Sequence, residues 1–170
     1  MNAAEAEDRH FTHSTLREHI IEHIFIGDVL RTLWLHGVTD VEILRPEFDA
    51  HGYDVVMVRG NVVRHIQLKT QSGGKVSVGQ ALAEKPSGCV IWIDLDKKTL
   101  EMGPFMWFGG APGSPLPDVS GFPNPKRPTH NAKGERPIRK HHHMLPPSVF
   151  TKLNTLDEVI ECLFGELSPK

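Results

Sequence analysis

Asp54, Gln67 and Lys69 are the residues whose types and spacing could do chemistry together. They lie within Gly52 to Lys69, GYDVVMVRGNVVRHIQLK, which reads as a β-hairpin. Valine-rich Tyr53 to Arg59 is one strand, and Val62 to Thr70 is the return strand. Gly60-Asn61 supplies a two-residue turn of the kind that needs a positive φ. Side chains alternate faces along a strand. Val62, Arg64, Ile66 and Leu68 therefore share a largely apolar core face, and Val63, His65, Gln67 and Lys69 share the other. Folding the hairpin about Gly60-Asn61 sets Asp54 approximately opposite Gln67. A carboxylate, a carboxamide and an ammonium then converge on one spot. They would act as a metal ligand, an auxiliary oxygen ligand and a fixed positive charge, the set that phosphodiester hydrolysis needs.

Asp54, twelve intervening residues, then Gln67-Leu68-Lys69 resembles the PD-(D/E)XK nuclease superfamily, in the variant where Gln replaces the second acid. The resemblance spans Glu18 to Leu95. Tyr53 precedes Asp54, so the eponymous Pro-Asp pair is absent. The resemblance implies an α/β fold, a restriction-endonuclease-like core in the order α-β-β-β-α-β with a mixed central sheet. It implies Mg2+ or Mn2+ held by Asp54, Gln67, the Leu68 backbone carbonyl and Glu22. Lys69 would orient the attacking water and offset charge on the phosphate. Asp54, Gln67, Lys69 and Glu22 would form the catalytic set.

The elements that must position these groups are legible around them. Ser14 is a plausible N-cap, and a helix runs from there to about His36, where Gly37 stops it. Ile20, Ile21, Ile24, Phe25, Val29, Leu30, Leu33 and Trp34 recur at helical spacing. Glu22 shares a stripe with Ile26, Val29 and Leu33, beside the buried face. A buried carboxylate needs a partner, so Glu22 either pairs with an arginine or sits at the boundary, or it is a metal or water ligand beside Asp54. Glu18, one turn earlier, is the alternate. A first strand occupies Asp40 to Pro46, making an antiparallel meander with the hairpin. Glu47 and Asp49 fall in the loop before Asp54 and read as solvated.

After Lys69 a polar connection leads to a short helix, Val78 to Glu84, ending before Pro86. Gln71, Lys75, Ser77 and Gln80 are candidate phosphate contacts there. Cys89 to Ile93 is a continuous apolar run, read as a central strand buried on both faces. Leu100 to Phe108 is another strand, with Pro104 favouring an edge or a break. Residues 109–128 are rich in Gly and Pro and predict irregular structure. From there to 143 the chain is expected to remain a loop, basic over Lys126 to Lys140. Lys126, Arg127, Lys133, Arg136, Arg139 and Lys140 in that tract, together with Lys75 and Gln80, are the expected nucleic-acid contacts. His141 to His143 read as part of this surface tract, because three consecutive residues cannot readily ligate one ion. Asn154 or Thr155 caps a last helix, Leu156 to Phe164.

At 170 residues one domain with a real core is expected across 1–170. The net charge of −2 provides no overall basic field, so any nucleic-acid contact must be local. Cys89 and Cys162 read as reduced, buried residues, the N-terminus lacks a signal sequence, and no apolar run could span a membrane. These features together predict a cytoplasmic protein. The expected function is a Mg-dependent nuclease acting on DNA rather than RNA, working as a homodimer or with a recognition partner. The alternative is a non-catalytic nucleic-acid or protein binding module on the same fold. A further alternative reads QLK as an ordinary amphipathic strand of an α/β interaction protein.

Overall fold

The computed structural model describes residues 12–47, 51–70, 74–127 and 129–167. Residues 1–11, Asp49 and Gln71 lie outside these. The chain is an α/β fold. It opens with helix α1, Ser14–Leu35, which turns Ile21, Phe25, Val29 and Leu33 into the core. The helix begins one residue earlier than expected, since the N-cap is His13 and Ser14 is already helical. Its end follows from Gly37, whose φ of 73° is left-handed. Gly37 N–H donates to Trp34 O and Val38 N–H to Leu33 O, both at 2.9 Å. Buried Val38 closes over Leu33, completing a Schellman motif.

Strands β1 (Val41–Leu44), β2 (Val55–Arg59) and β3 (Val62–Lys69) follow as the expected antiparallel meander. In the β2–β3 turn Gly60 takes a φ of 55°, while Asn61 does not turn left-handed. A two-residue hairpin loop with glycine first is thereby closed. β4 is Val76–Gly79, α2 is Gln80–Ala83 and β5 is Gly88–Leu95. Helix was expected from Val78, but Val76 and Val78 alternate inward as a strand. β4 pairs antiparallel with β7, His142–Leu145, and a distant partner of that kind leaves no local signal. The helix shrinks to four residues.

β6 (Met102–Gly109) and β8 (Thr151–Leu153) complete the main sheet, whose order is β1-β2-β3-β5-β6-β8. β3 and β5 run parallel and the other neighbours antiparallel, so the sheet is mixed. β6 is not an edge strand, and of the two expectations from Pro104 it is the break that is met. Its β8 partner reaches only Phe105 to Trp107, and Pro104 sits where the β5–β6 register shifts. The missing N–H therefore breaks no ladder there.

β5 shows why its run is continuously apolar. Cys89, Ile91 and Ile93 face the core under α1 and α3 (Leu156–Phe164). Val90 and Trp92 face a second core with Val76, Val78, Leu82 and Leu145. That second core also buries Leu116 and Val119, so the Pro/Gly-rich segment is packed down rather than loose. Likewise the expected loop does not run to 143, because His142 and His143 belong to β7 and His143 is buried. α3 carries a capping box, Thr155 with Glu158. No helix among the described residues is long and apolar enough to cross a membrane.

Candidate functional site

The hairpin sets the geometry of the site. Register pairs Val55 with Ile66, so Asp54 falls opposite Gln67 one step further out. Asp54 N–H donates to Ile66 O at 2.8 Å. Its carboxylate Oδ2 accepts from Leu68 N–H at 2.6 Å, which fixes the side chain against the β3 strand. Asp54, Gln67, Leu68 and Lys69 line one cavity of about 270 Å3 at the end of β3. α1 closes its other side with Arg17, Glu18, Ile21 and Glu22. The structure thus brings Glu18, Glu22, Asp54, Gln67 and Lys69 together.

Glu22 comes with a partner. It is ion-paired to Arg45 at the end of β1, and His19 Nδ1 stands 3.6 Å from it. At 17% side-chain exposure this carboxylate is largely desolvated, and Arg45 offsets that cost. Among the described residues no three His, Cys, Asp or Glu side chains gather as a metal site. The cavity lining holds the carboxylates of Glu18, Glu22 and Asp54, plus the Gln67 carboxamide. Gln67 is 8% exposed, and its Oε1 is buried without a hydrogen-bond partner. A buried oxygen left unpaired costs about 1–3 kcal/mol. This makes Gln67 the unpaired acceptor of the site.

Gln67 and Lys69 also line a second cavity of about 410 Å3, on the side of the β4–β7 ribbon. Ser77 from β4 and Arg139, His141 and His142 from the approach to β7 and β7 itself surround it. A third cavity, of about 370 Å3, repeats Arg139, His141 and His142 and adds Arg127 and Lys140. The three cavities share residues in sequence, so polar and basic groups run continuously from Asp54 to Arg127. Lys69 has no ion-pair partner among the described residues.

His142 and its role in this track were not visible in the sequence. Arg139 Nη2 donates to His142 Nε2 at 2.7 Å. An arginine can only donate, so the ring is neutral and carries its proton on Nδ1. That nitrogen faces Ser77 Oγ at 3.5 Å. Burial, followed by the charges of Arg139 and Lys69, holds the imidazole below its ordinary pKa. Ser77 therefore faces an N–H rather than a base, and this pair does not make a serine nucleophile.

The other expected contacts divide. Gln80 turns inward, its carboxamide 3.1 Å from His143 Nε2, while His143 Nδ1 lies 3.1 Å from Phe122 O. Lys126, Arg127, Lys133, Arg136 and Lys140 are exposed along a ladder-like loop bridged at Lys126 and Ile138. Asn131 Oδ1 accepts from Lys133 N–H and Glu135 N–H, both at 2.9 Å, which orders its tip. Lys75 is exposed beside β4, and Glu47 is exposed after β1, away from the three cavities' linings. Compared with protein-family models, with curated proteins and with solved structures, the chain has no match in any of the three.

Proposed function

We propose that this chain is a metal-dependent nuclease that hydrolyses nucleic-acid phosphodiesters, DNA before RNA, on a restriction-endonuclease-like core. The observation that carries the reading is the buried, unpartnered Gln67 Oε1 in a cavity with Asp54, Lys69 and Glu22. The order α1-β1-β2-β3, with β5 parallel to β3, supports the fold reading. Asp54, Gln67 Oε1 and the Leu68 carbonyl are hard oxygen donors suited to Mg2+ or Mn2+. Glu22 would join them by exchanging or sharing its ion pair with Arg45. Bound there, the cation would supply Lewis-acid activation of water at the phosphate.

The chain's own residues supply the rest. Leu68 N–H holds the Asp54 carboxylate in one orientation. Lys69 faces both cavities, so its ammonium can stand against the phosphate and offset charge as it builds. Arg139 and Ser77 would hold the neighbouring phosphate, and Arg127 and Lys140 the next along the track.

The test is calorimetry of Mg2+ and Mn2+ with wild type and Asp54→Asn, followed by cleavage of labelled DNA. Metal binding that is lost in Asp54→Asn, along with cleavage, is expected. Equal cleavage by wild type and by Asp54→Asn overturns the assignment. A second reading, a non-catalytic nucleic-acid binding module, is favoured by the Glu22–Arg45 pair, which already satisfies one of the carboxylates. It is distinguished by oligonucleotide binding that ignores metal and by the absence of cleavage.

A further inference from the structure

Helix α1 carries a second row of large apolar side chains that the other described residues leave exposed. Leu16, Ile20, Leu30 and Trp34 are 59%, 38%, 39% and 71% exposed. With His23 and Gly27 they occupy positions 16, 20, 23, 27, 30 and 34, alternating steps of four and three. That is the spacing of a helix-pairing seam. At about 100° per residue the seam lies about 160° around the helix from Ile21, Phe25, Val29 and Leu33. Exposed apolar groups scattered singly need no explanation, but a continuous stripe marks a contact surface.

Two features say what covers it. The seam reads the same in both directions about position 25. Laid antiparallel on a second copy, Leu16 meets Trp34, Ile20 meets Leu30, and His23 meets Gly27, each pair occurring twice. Self-complementarity of this kind is the property of a two-fold interface. Gly27 is the second feature. Mid-helix glycine costs about 1 kcal/mol relative to alanine, yet a Cβ built there would meet nothing within 4 Å. Among the described residues nothing calls for so small a residue, whereas an approaching helix does.

We propose that the chain forms an antiparallel homodimer through the Leu16–Trp34 face of α1. The largest side chain, Trp34, covers Leu16 of the other copy at each end. The partner's His23, its ring nitrogens held by its own His19 O at 2.7 Å and Arg45 at 3.3 Å, lies over the open space at Gly27 in the middle. Glu18 and Glu22 lie on a different side of α1, facing the cavity with Asp54, so pairing leaves that cavity open. A contact along one helix sits at the low end of stable interfaces, roughly 1,200 Å2 in total, so association in the micromolar range is expected.

Sedimentation velocity from low to high micromolar protein tests this, independently of any cleavage. Wild type is expected to double its mass with concentration. Leu30→Glu and Trp34→Glu are expected to stay monomeric with unchanged far-UV circular dichroism. Orientation is read by oxidative cross-linking. The double variant Ile20→Cys/Leu30→Cys should give a covalent dimer above the wild-type background, and each single variant should not. A wild type that stays monomeric throughout overturns the proposal. So does a dimer that survives both glutamate substitutions, or efficient cross-linking by the single cysteine variants, which indicates parallel pairing.

Discussion

At the scale of single residues, Gln67 is the informative position. Its buried oxygen lacks a partner, and its neutrality limits the charge offered to a cation. Gln67→Glu adds a carboxylate, and Mn2+ affinity measured by calorimetry should rise about tenfold, since affinity follows ligand charge. Unchanged affinity would remove Gln67 from the ligand set. Lys69→Ala should abolish cleavage while leaving Mn2+ binding at wild-type strength or above, because a nearby positive charge is gone. Arg139→Gln should lower the salt slope of oligonucleotide binding by about one, read by fluorescence anisotropy in EDTA. Asp54, Gln67 and Lys69 could be read from sequence because a two-residue turn fixes their register locally. His142 could not, because its place beside Ser77 depends on strands 65 residues apart finding each other. For Glu22 the sequence demanded a partner, and the structure supplies Arg45.

Secondary-structure elements were legible where their ends carry chemistry. Gly37 stops α1, and Thr155 starts α3, as their residue types dictate. Thr155→Ala should cost about 1 kcal/mol in urea unfolding, the typical loss of a cap. β4 was misread because Val76-Ser77-Val78 precedes Gln80-Ala81-Leu82-Ala83, and only the partner β7 settles which pattern wins. The larger surprise is Arg64, fully buried on the apolar face of β3. Its guanidinium donates to Leu163 O at 2.9 Å, Cys162 O at 2.8 Å, Gly110 O at 3.0 Å and Ser114 O at 3.3 Å. It also stacks over Trp107, 5.4 Å from the ring centre. The last carbonyls of a helix have no partners within it and carry partial negative charge, so Arg64 joins α3 to the central sheet. Alternation along β3 put Arg64 on the core face, but the carbonyls it serves lie far away in sequence. Arg64→Met leaves those carbonyls buried and unpaired, and a loss of about 3–5 kcal/mol in urea unfolding is expected. A loss below about 1 kcal/mol would show that the carbonyls find other donors.

For the molecule as a whole, stability should depend on pH through two imidazoles. Burial, reinforced by Lys85, holds His65 below the ordinary 6.5, and burial with Arg139 does the same to His142. Below pH 6.5 the unfolded chain therefore binds protons that the folded chain refuses, so stability is full above that value and falls as pH drops. Asp96 and Asp118, held below 3.8 chiefly by backbone N–H groups, add their loss only in a more acid window. The urea midpoint should fall between pH 7.5 and pH 5.5, taken about one unit either side of the free imidazole value. His65→Gln/His142→Gln should flatten that fall, and an equally steep one would place the titration elsewhere. The α/β class, the meander and the burial of β5 on both faces were legible from neighbouring residues, but the distant residues that build the second core, Leu116, Val119 and Leu145, were not. Arg64 turns this last point into a matter of timing. A chain emerging from a ribosome contains Arg64 while Leu163, its acceptor 99 residues later, does not yet exist. At roughly 5–20 residues per second that interval is about 5–20 s. Gly110 and Ser114 emerge earlier and can take part of the guanidinium, but its full set of acceptors waits for α3, so the nascent sheet cannot be sealed on that face before the last helix is made.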